Sequence, residues 1–166
     1  MCIRDRAQRA GLGWIGKHTN LINNEIGSWF FICEILLDIE LEYNKPFIQD
    51  LCGTCTKCID ACPTNAITEP FVVNSNLCLA YHTIENRTKE LPENITGSLG
   101  TWIAGCDICQ EVCPWNHKNI PSTTEPDLQP SEWILNITKK DALSWSDSKW
   151  KENLKSSTLS SFFIHF

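Results

Sequence analysis

The sequence predicts an α+β fold, and three observations predict it. A charged, helix-prone stretch over residues 1–10 stops at Gly11. Two apolar, strand-like runs flank an Asn- and Gly-containing turn, NNEIG. Two short blocks, CGTCTKCIDACP and CDICQEVCP, hold seven of the ten cysteines.

Each element has a local reason. Ala7, Gln8, Arg9 and Ala10 favour a helix that Gly11 ends. GLGWIGKHT reads as a tight glycine-rich turn, and residues 19–22 and 28–37 as two strands around NNEIG. Residues 38–51 form an acidic connector, and the cysteine-rich core runs from Cys52 to about Lys118. IPSTTEPDLQP, with three prolines, reads as an extended linker. Residues 133–150 mix aromatic and aliphatic residues as short helices do, and the chain ends on the apolar SSFFIHF.

Composition narrows the function classes. The chain has 166 residues, 42% apolar and 20% charged, which suits one domain or two very small ones rather than disorder. A net charge of −6 provides no general attraction to nucleic acid or to an anionic membrane. No run approaches the roughly 20 apolar residues of a membrane span, the longest (WFFIC) being broken at Glu34. MCIRDRAQRAG has charges but no apolar signal core, which points to the cytoplasm. In that reducing compartment ten cysteines argue for metal rather than disulfides.

The first block places Cys52, Cys55, Cys58 and Cys62 before Pro63, the C-x2-C-x2-C-x3-C-P spacing of bacterial ferredoxins. A loop with a cysteine at every third residue wraps three corners of a cubane. The fourth cysteine points away toward a second one. The second block supplies Cys106, Cys109 and Cys113 before Pro114 and lacks the first position. Counting assigns Cys52, Cys55, Cys58 and Cys113 to one [4Fe–4S] cluster. Cys62, Cys106 and Cys109 go to the other, and Cys78, the only cysteine between the blocks, is the natural eighth ligand.

Zinc sites use paired knuckles, and three cysteines in seven residues suit a tetrahedral ion poorly. Cys2 and Cys33 are left over, and Cys33 inside WFFICEILL reads as a small buried apolar residue. His82 and His117 read equally as surface or capping residues. Gly11-Leu-Gly13-Trp-Ile-Gly16 matches G-x-G-x-x-G, with Asp38 downstream. A dinucleotide fingerprint, however, follows a strand and opens a helix, and neither is expected here. Glycines that allow close backbone packing explain the turn better.

AGLGWIGKHTNLI, GSWFFICEILL, CGTCTKCIDACPTNAI, CLAYHTIE and GCDICQEVCPWN, in this order, resemble the epoxyqueuosine reductase family over roughly residues 7–157. The resemblance implies the C-terminal part of a cobalamin-binding α+β domain (1–50), a ferredoxin-like double-cluster module (51–120), and a linker with a truncated, partly helical C-terminal region (121–166). It implies reduction of the epoxide of epoxyqueuosine to queuosine at the tRNA wobble position, with electrons passing through the clusters to cobalamin. The family's ligand pattern agrees with the cysteine count, Cys78 included. By matching motif, Trp14, Gly16, Lys17, Ile22, Cys33, Ala80, Cys106 and Asp107 are expected to line or approach the corrin. The family's proton-donor aspartate falls upstream of the glycine turn, where MCIRDR does not match, so no residue here inherits that role; Asp5 is no substitute on position alone. The resemblance further implies a tRNA partner, an external flavodoxin- or ferredoxin-like electron donor, no membrane association and a monomer. The rival readings are a stand-alone ferredoxin-type carrier and a cobalamin-dependent reductase of small molecules.

Overall fold

A computed structural model describes residues 2–88, 90–117 and 122–155. The apolar chain end, residues 156–166, lies outside the described residues. In chain order the elements are α1 (Ile3–Arg9), β1 (Trp14–Ile15), β2 (Leu21–Ile22), α2 (Lys57–Asp60), β3 (Ile67–Glu69) and β4 (Val72–Val73). After these come α3 (Glu93–Thr96), α4 (Ile108–Glu111), α5 (Glu132–Asn136), α6 (Lys139–Ser144) and α7 (Asp147–Leu154). Mixed helix and strand agree with the α+β expectation. The chain divides into two compact units, Met1–Cys78 with Cys106–Pro121, and Leu79–Gly105 with Ser122–Phe166. Among the described residues no helix is long and apolar enough to cross a membrane.

In the first unit, α1 starts where the Asp5 carboxylate accepts the Cys2 backbone N–H at 2.8 Å, and it carries Arg6 and Arg9 in its last turn. Both placements suit the helix dipole. Gly11, at φ +81°, turns the chain out of the helix, and its N–H reaches the Gln8 carbonyl at 3.0 Å.

The expected hairpin is displaced. β2 pairs antiparallel with β1 (Trp14 opposite Ile22, Ile15 opposite Leu21), so the turn lies at Gly16–Asn20 rather than at NNEIG. NNEIG closes only as a single bridge between Asn23 and Gly27. Residues 28–37 form no strand, and Phe31, Leu36 and Tyr43 are almost fully exposed. A strand needs a partner for its ladder, and no other described segment supplies one there. Burial decided the register that did form, since pairing Trp14 with Ile22 sinks both side chains completely.

The glycine turn has a steric explanation. A Cβ on Gly13 would lie 2.0 Å from the Ile22 carbonyl oxygen, and one on Gly16 would lie 2.5 Å from Ile22 Cδ1. A hairpin follows these glycines, so no helix N-terminus is available to receive a pyrophosphate.

Trp14, Ile22 and Cys113 form the core of this unit, with Phe47, Leu51, Cys52 and Trp115 packed around them. Trp14 stacks on Phe47 at 5.6 Å and meets Trp115 edge-on at 4.9 Å. Phe47 is tethered to α1, its N–H donating to the Gln8 carbonyl at 2.9 Å. α2 packs beside α4, which brings the two cysteine blocks together.

In the second unit a π-helical turn, Tyr81–Glu85, precedes α3. Thr83 Oγ1 donates to the Leu79 carbonyl at 2.8 Å and accepts the Gly105 N–H at 2.9 Å. The short helices expected over residues 133–150 are present as α5, α6 and α7. Thr138 and Asp141 cap α6 reciprocally, and Ser146 caps α7. Ala142, Trp150 and Leu154 form the core, with Trp133 and Trp145 against them.

Candidate metal centre

Both cysteine blocks fold alike. A short loop feeds a single helical turn: Cys58 sits on α2 and Cys109 on α4, and Cys62 and Cys113 follow as the helices end. Pro63 and Pro114 come next and cannot continue a helix. Cys78 closes the 3₁₀ turn Ser75–Leu77, its N–H donating to the Ser75 carbonyl at 3.0 Å.

The thiols that act on one another fall into two sets. Burial pushes Cys58 up, and Cys52 and Cys113 add to the rise. Burial also raises Cys113; the Trp115 N–H opposes this, while Cys52 and Cys55 reinforce it. In the other set burial raises Cys106, against the Ile108 N–H and with help from Cys78 and Cys62. Cys109 is pushed up to about 12, by burial first and then by Cys106, Cys58 and Cys78. Cys58 also acts on Cys109, which links the two sets. Cys62 shifts the opposite way. Burial would raise it, but the N–H groups of Thr64 and Ala66 prevail, the latter 3.2 Å from its sulfur.

All four thiols of the first set line one cavity of about 300 Å³. Ile22, Leu51 and Trp115 give it apolar walls. Trp14 Nε1 donates toward Cys52 Sγ at 3.5 Å. The buried Lys17 side chain donates from Nζ to the carbonyls of Gly53 (2.7 Å) and Cys55 (3.0 Å), inside the cysteine loop. His18, 4% exposed, also lines the cavity, and burial lowers its pKa to about 4, so the ring is neutral at physiological pH. Its Nδ1 accepts the Asn20 N–H at 3.2 Å, whereas Nε2 is buried without a hydrogen-bond partner.

This donor set fits a [4Fe–4S] cluster: four thiols around one largely apolar cavity, with N–H donors at its wall. Among the described residues no three His, Cys, Asp or Glu side chains converge on a single-ion site. Thiolates on one tetrahedral zinc would lie only about 3.8 Å apart, given a Zn–S length of about 2.3 Å.

Residues 51–116 match the family model of the 4Fe-4S double cluster binding domain. The chain is 67% identical over 153 residues to the epoxyqueuosine reductase of Prochlorococcus marinus (strain NATL2A), covering 92% of this chain and 49% of that protein. It is 56% identical over 153 residues to that of Synechococcus sp. (strain CC9605), covering 92% and 47%. Over the stretch it spans, the chain belongs to the epoxyqueuosine reductase family. Its fold matches the solved epoxyqueuosine reductase from Bacillus subtilis with a TM-score of 0.82 and 35% identity, covering 93% of this chain and 41% of that one. An epoxyqueuosine reductase solved with an epoxyqueuosine-modified tRNA-Tyr stem loop matches with a TM-score of 0.81 and 35% identity, covering 93% and 40%. The chain spans about half the length of the curated relatives it matches.

Of the residues expected near the corrin of an epoxyqueuosine reductase, Lys17 and Ile22 line the first cavity. Trp14 and Ile22 are fully buried, and Lys17 is committed to the first cysteine loop. Asp107 accepts from Gln110 Nε2 at 2.7 Å and lines a second cavity, about 440 Å³, with Arg4, Ser28 and Phe30. Ala80 belongs to the other compact unit. Cys33 is exposed, which corrects its reading as a buried apolar residue; it sits in a segment that forms no strand.

His82 is buried rather than superficial, with its Nδ1 3.1 Å from the Asn86 amide nitrogen, whereas His117 is exposed as a surface residue would be. His18 went unnoticed in the sequence. Its signal was the glycine two residues before it, since a Cβ on Gly16 would come within 3.1 Å of His18 Cε1.

Proposed function

We propose that this chain is the electron-delivering part of an epoxyqueuosine reductase acting on tRNA that carries epoxyqueuosine. One observation carries the reading: Cys52, Cys55, Cys58 and Cys113 line a single cavity, in a chain that matches this family over 92% of its length. In this reading Cys52, Cys55, Cys58 and Cys113 hold one cluster, and Cys62, Cys78, Cys106 and Cys109 the other. The clusters supply one-electron transfer, and cobalamin supplies the cobalt chemistry of epoxide reduction.

The chain's own residues prepare the first site. Trp14 and Lys17 place N–H groups at the cysteine loop, which offsets thiolate charge. Ile22, Leu51 and Trp115 give the cavity apolar walls, which lowers the local dielectric and strengthens these interactions. Residues 1–50 would close one wall of a cobalamin domain, 51–120 form the cluster module, and 121–166 lead toward a C-terminal region. Cobalamin, tRNA, an external flavodoxin- or ferredoxin-like donor, a monomeric state and a cytoplasmic location belong to the same proposal. The tRNA assignment is supported by the relative solved with a modified stem loop.

The test is conversion. The protein with its upstream region, given cobalamin and reductant, should form queuosine in epoxyqueuosine-containing tRNA digested to nucleosides. Residues 1–166 alone should form none, because the family's proton donor is expected upstream and such groups contribute roughly 10²–10⁴-fold. An extended protein that binds both clusters and cobalamin yet leaves the epoxide intact refutes the assignment.

A further inference from the structure

Among the groups that the proposed function leaves unused, His18 stands apart. Its ring is 4% exposed and lines the cavity walled by Cys52, Cys55, Cys58 and Cys113. Because Nδ1 accepts the Asn20 backbone N–H at 3.2 Å, the proton of the neutral ring resides on Nε2. Nε2 is therefore a donor, and it is buried with no hydrogen-bond partner. Buried donors are rarely left unsatisfied, so this one, on a residue that lines the cavity, points to a missing acceptor.

The ring is held in place by the backbone around it. Gly16 leaves the space that His18 Cε1 occupies, and the Gly16–Asn20 turn is closed by Asn20 O accepting the Gly16 N–H at 2.9 Å. The acceptor that this cavity would bring, on the cluster reading given above, is sulfur. We propose that His18 donates its Nε2–H to a sulfur of the [4Fe–4S] cluster held by Cys52, Cys55, Cys58 and Cys113. Such a bond stabilises the more negative, reduced cluster and raises its potential. His18 is thereby a positioning and tuning residue for electron delivery, distinct from the thiolate ligands.

The experiment uses the anaerobically reconstituted chain labelled with ¹⁵N only in histidine, reduced with dithionite and read by pulsed EPR. A weak ¹⁵N coupling to a reduced cluster is expected, and His18→Phe should abolish it while His82, His117 and His165 remain. In an EPR-monitored redox titration, His18→Phe should lower the reduced-to-oxidised ratio of one cluster about tenfold at fixed poise, equivalent to 59 mV for a one-electron couple. His18→Gln, which keeps an N–H donor, should restore most of that ratio. No ¹⁵N coupling in the wild-type chain overturns the inference even if the Phe variant fails to fold, as does a coupling that survives His18→Phe. A reconstituted chain without labile sulfide instead overturns the cluster reading itself, and the inference with it.

Discussion

Lys17 donates a hydrogen bond from Nζ to the carbonyl oxygen of Cys55 at 3.0 Å, tying the glycine hairpin to the first cysteine loop. A second bond to the Gly53 carbonyl, at 2.7 Å, makes the ammonium a clamp across that loop. Each hydrogen bond to a charged group contributes about 1.5–3 kcal/mol. Lys17→Met should therefore lower stability by about 2 kcal/mol or more and loosen iron from one cluster, leaving the other filled. Denaturant melts and iron analysis of the variant check this; wild-type values in both would show that the clamp is idle.

The two inner glycines should differ in tolerance. A Cβ at Gly13 meets the Ile22 backbone carbonyl at 2.0 Å, and backbone cannot swing aside. At Gly16 the nearest atom is the end of the Ile22 side chain, at 2.5 Å. Gly16→Ala should cost about 1–3 kcal/mol, as overpacking typically does, and Gly13→Ala clearly more. Equal melting midpoints for the two variants would contradict this steric account.

Thiol reactivity in the cluster-free chain should follow the local environments. Backbone N–H groups lower Cys62 against its burial, while burial raises Cys109 to about 12. Thiolate is the reactive form, so at pH 7–8 iodoacetamide should modify Cys62 well before Cys109. Raising the pH to 9 should still leave Cys109 protonated and slow. Peptide mass spectrometry over time reads the order, and earlier labelling of Cys109 would overturn it.

The cysteine chemistry was legible in the sequence because its geometry is local. Spacing within each block sets loop and helical turn, and the proline after each block's last cysteine stops that turn. Strand pairing was not legible, because it depends on non-local burial. Residues 28–37 have the apolar composition of a strand, yet the pairing that formed was the one that buried Trp14 against Ile22. His18 escaped notice for a similar reason. A single polar residue in a glycine turn shows no periodicity, and only packing reveals that its Nε2 lacks a partner.

Ligand exchange between the blocks should appear in variants. Cys113→Ala should damage the cluster held by Cys52, Cys55 and Cys58, although it neighbours Cys109 in sequence. Cys78→Ala should damage the other cluster, and Cys2→Ala neither. Each single loss should leave at least half of the wild-type iron. An unchanged spectrum for Cys78→Ala would assign the eighth ligand elsewhere.

The central claim is that eight cysteines hold two cubanes, and iron and acid-labile sulfide analysis of the anaerobically reconstituted wild-type chain tests it most directly. Two four-iron clusters predict about eight iron and eight sulfide per chain, with visible charge-transfer absorption that bleaches on reduction. One or two zinc ions per chain with no labile sulfide, under the same anaerobic conditions, would contradict it.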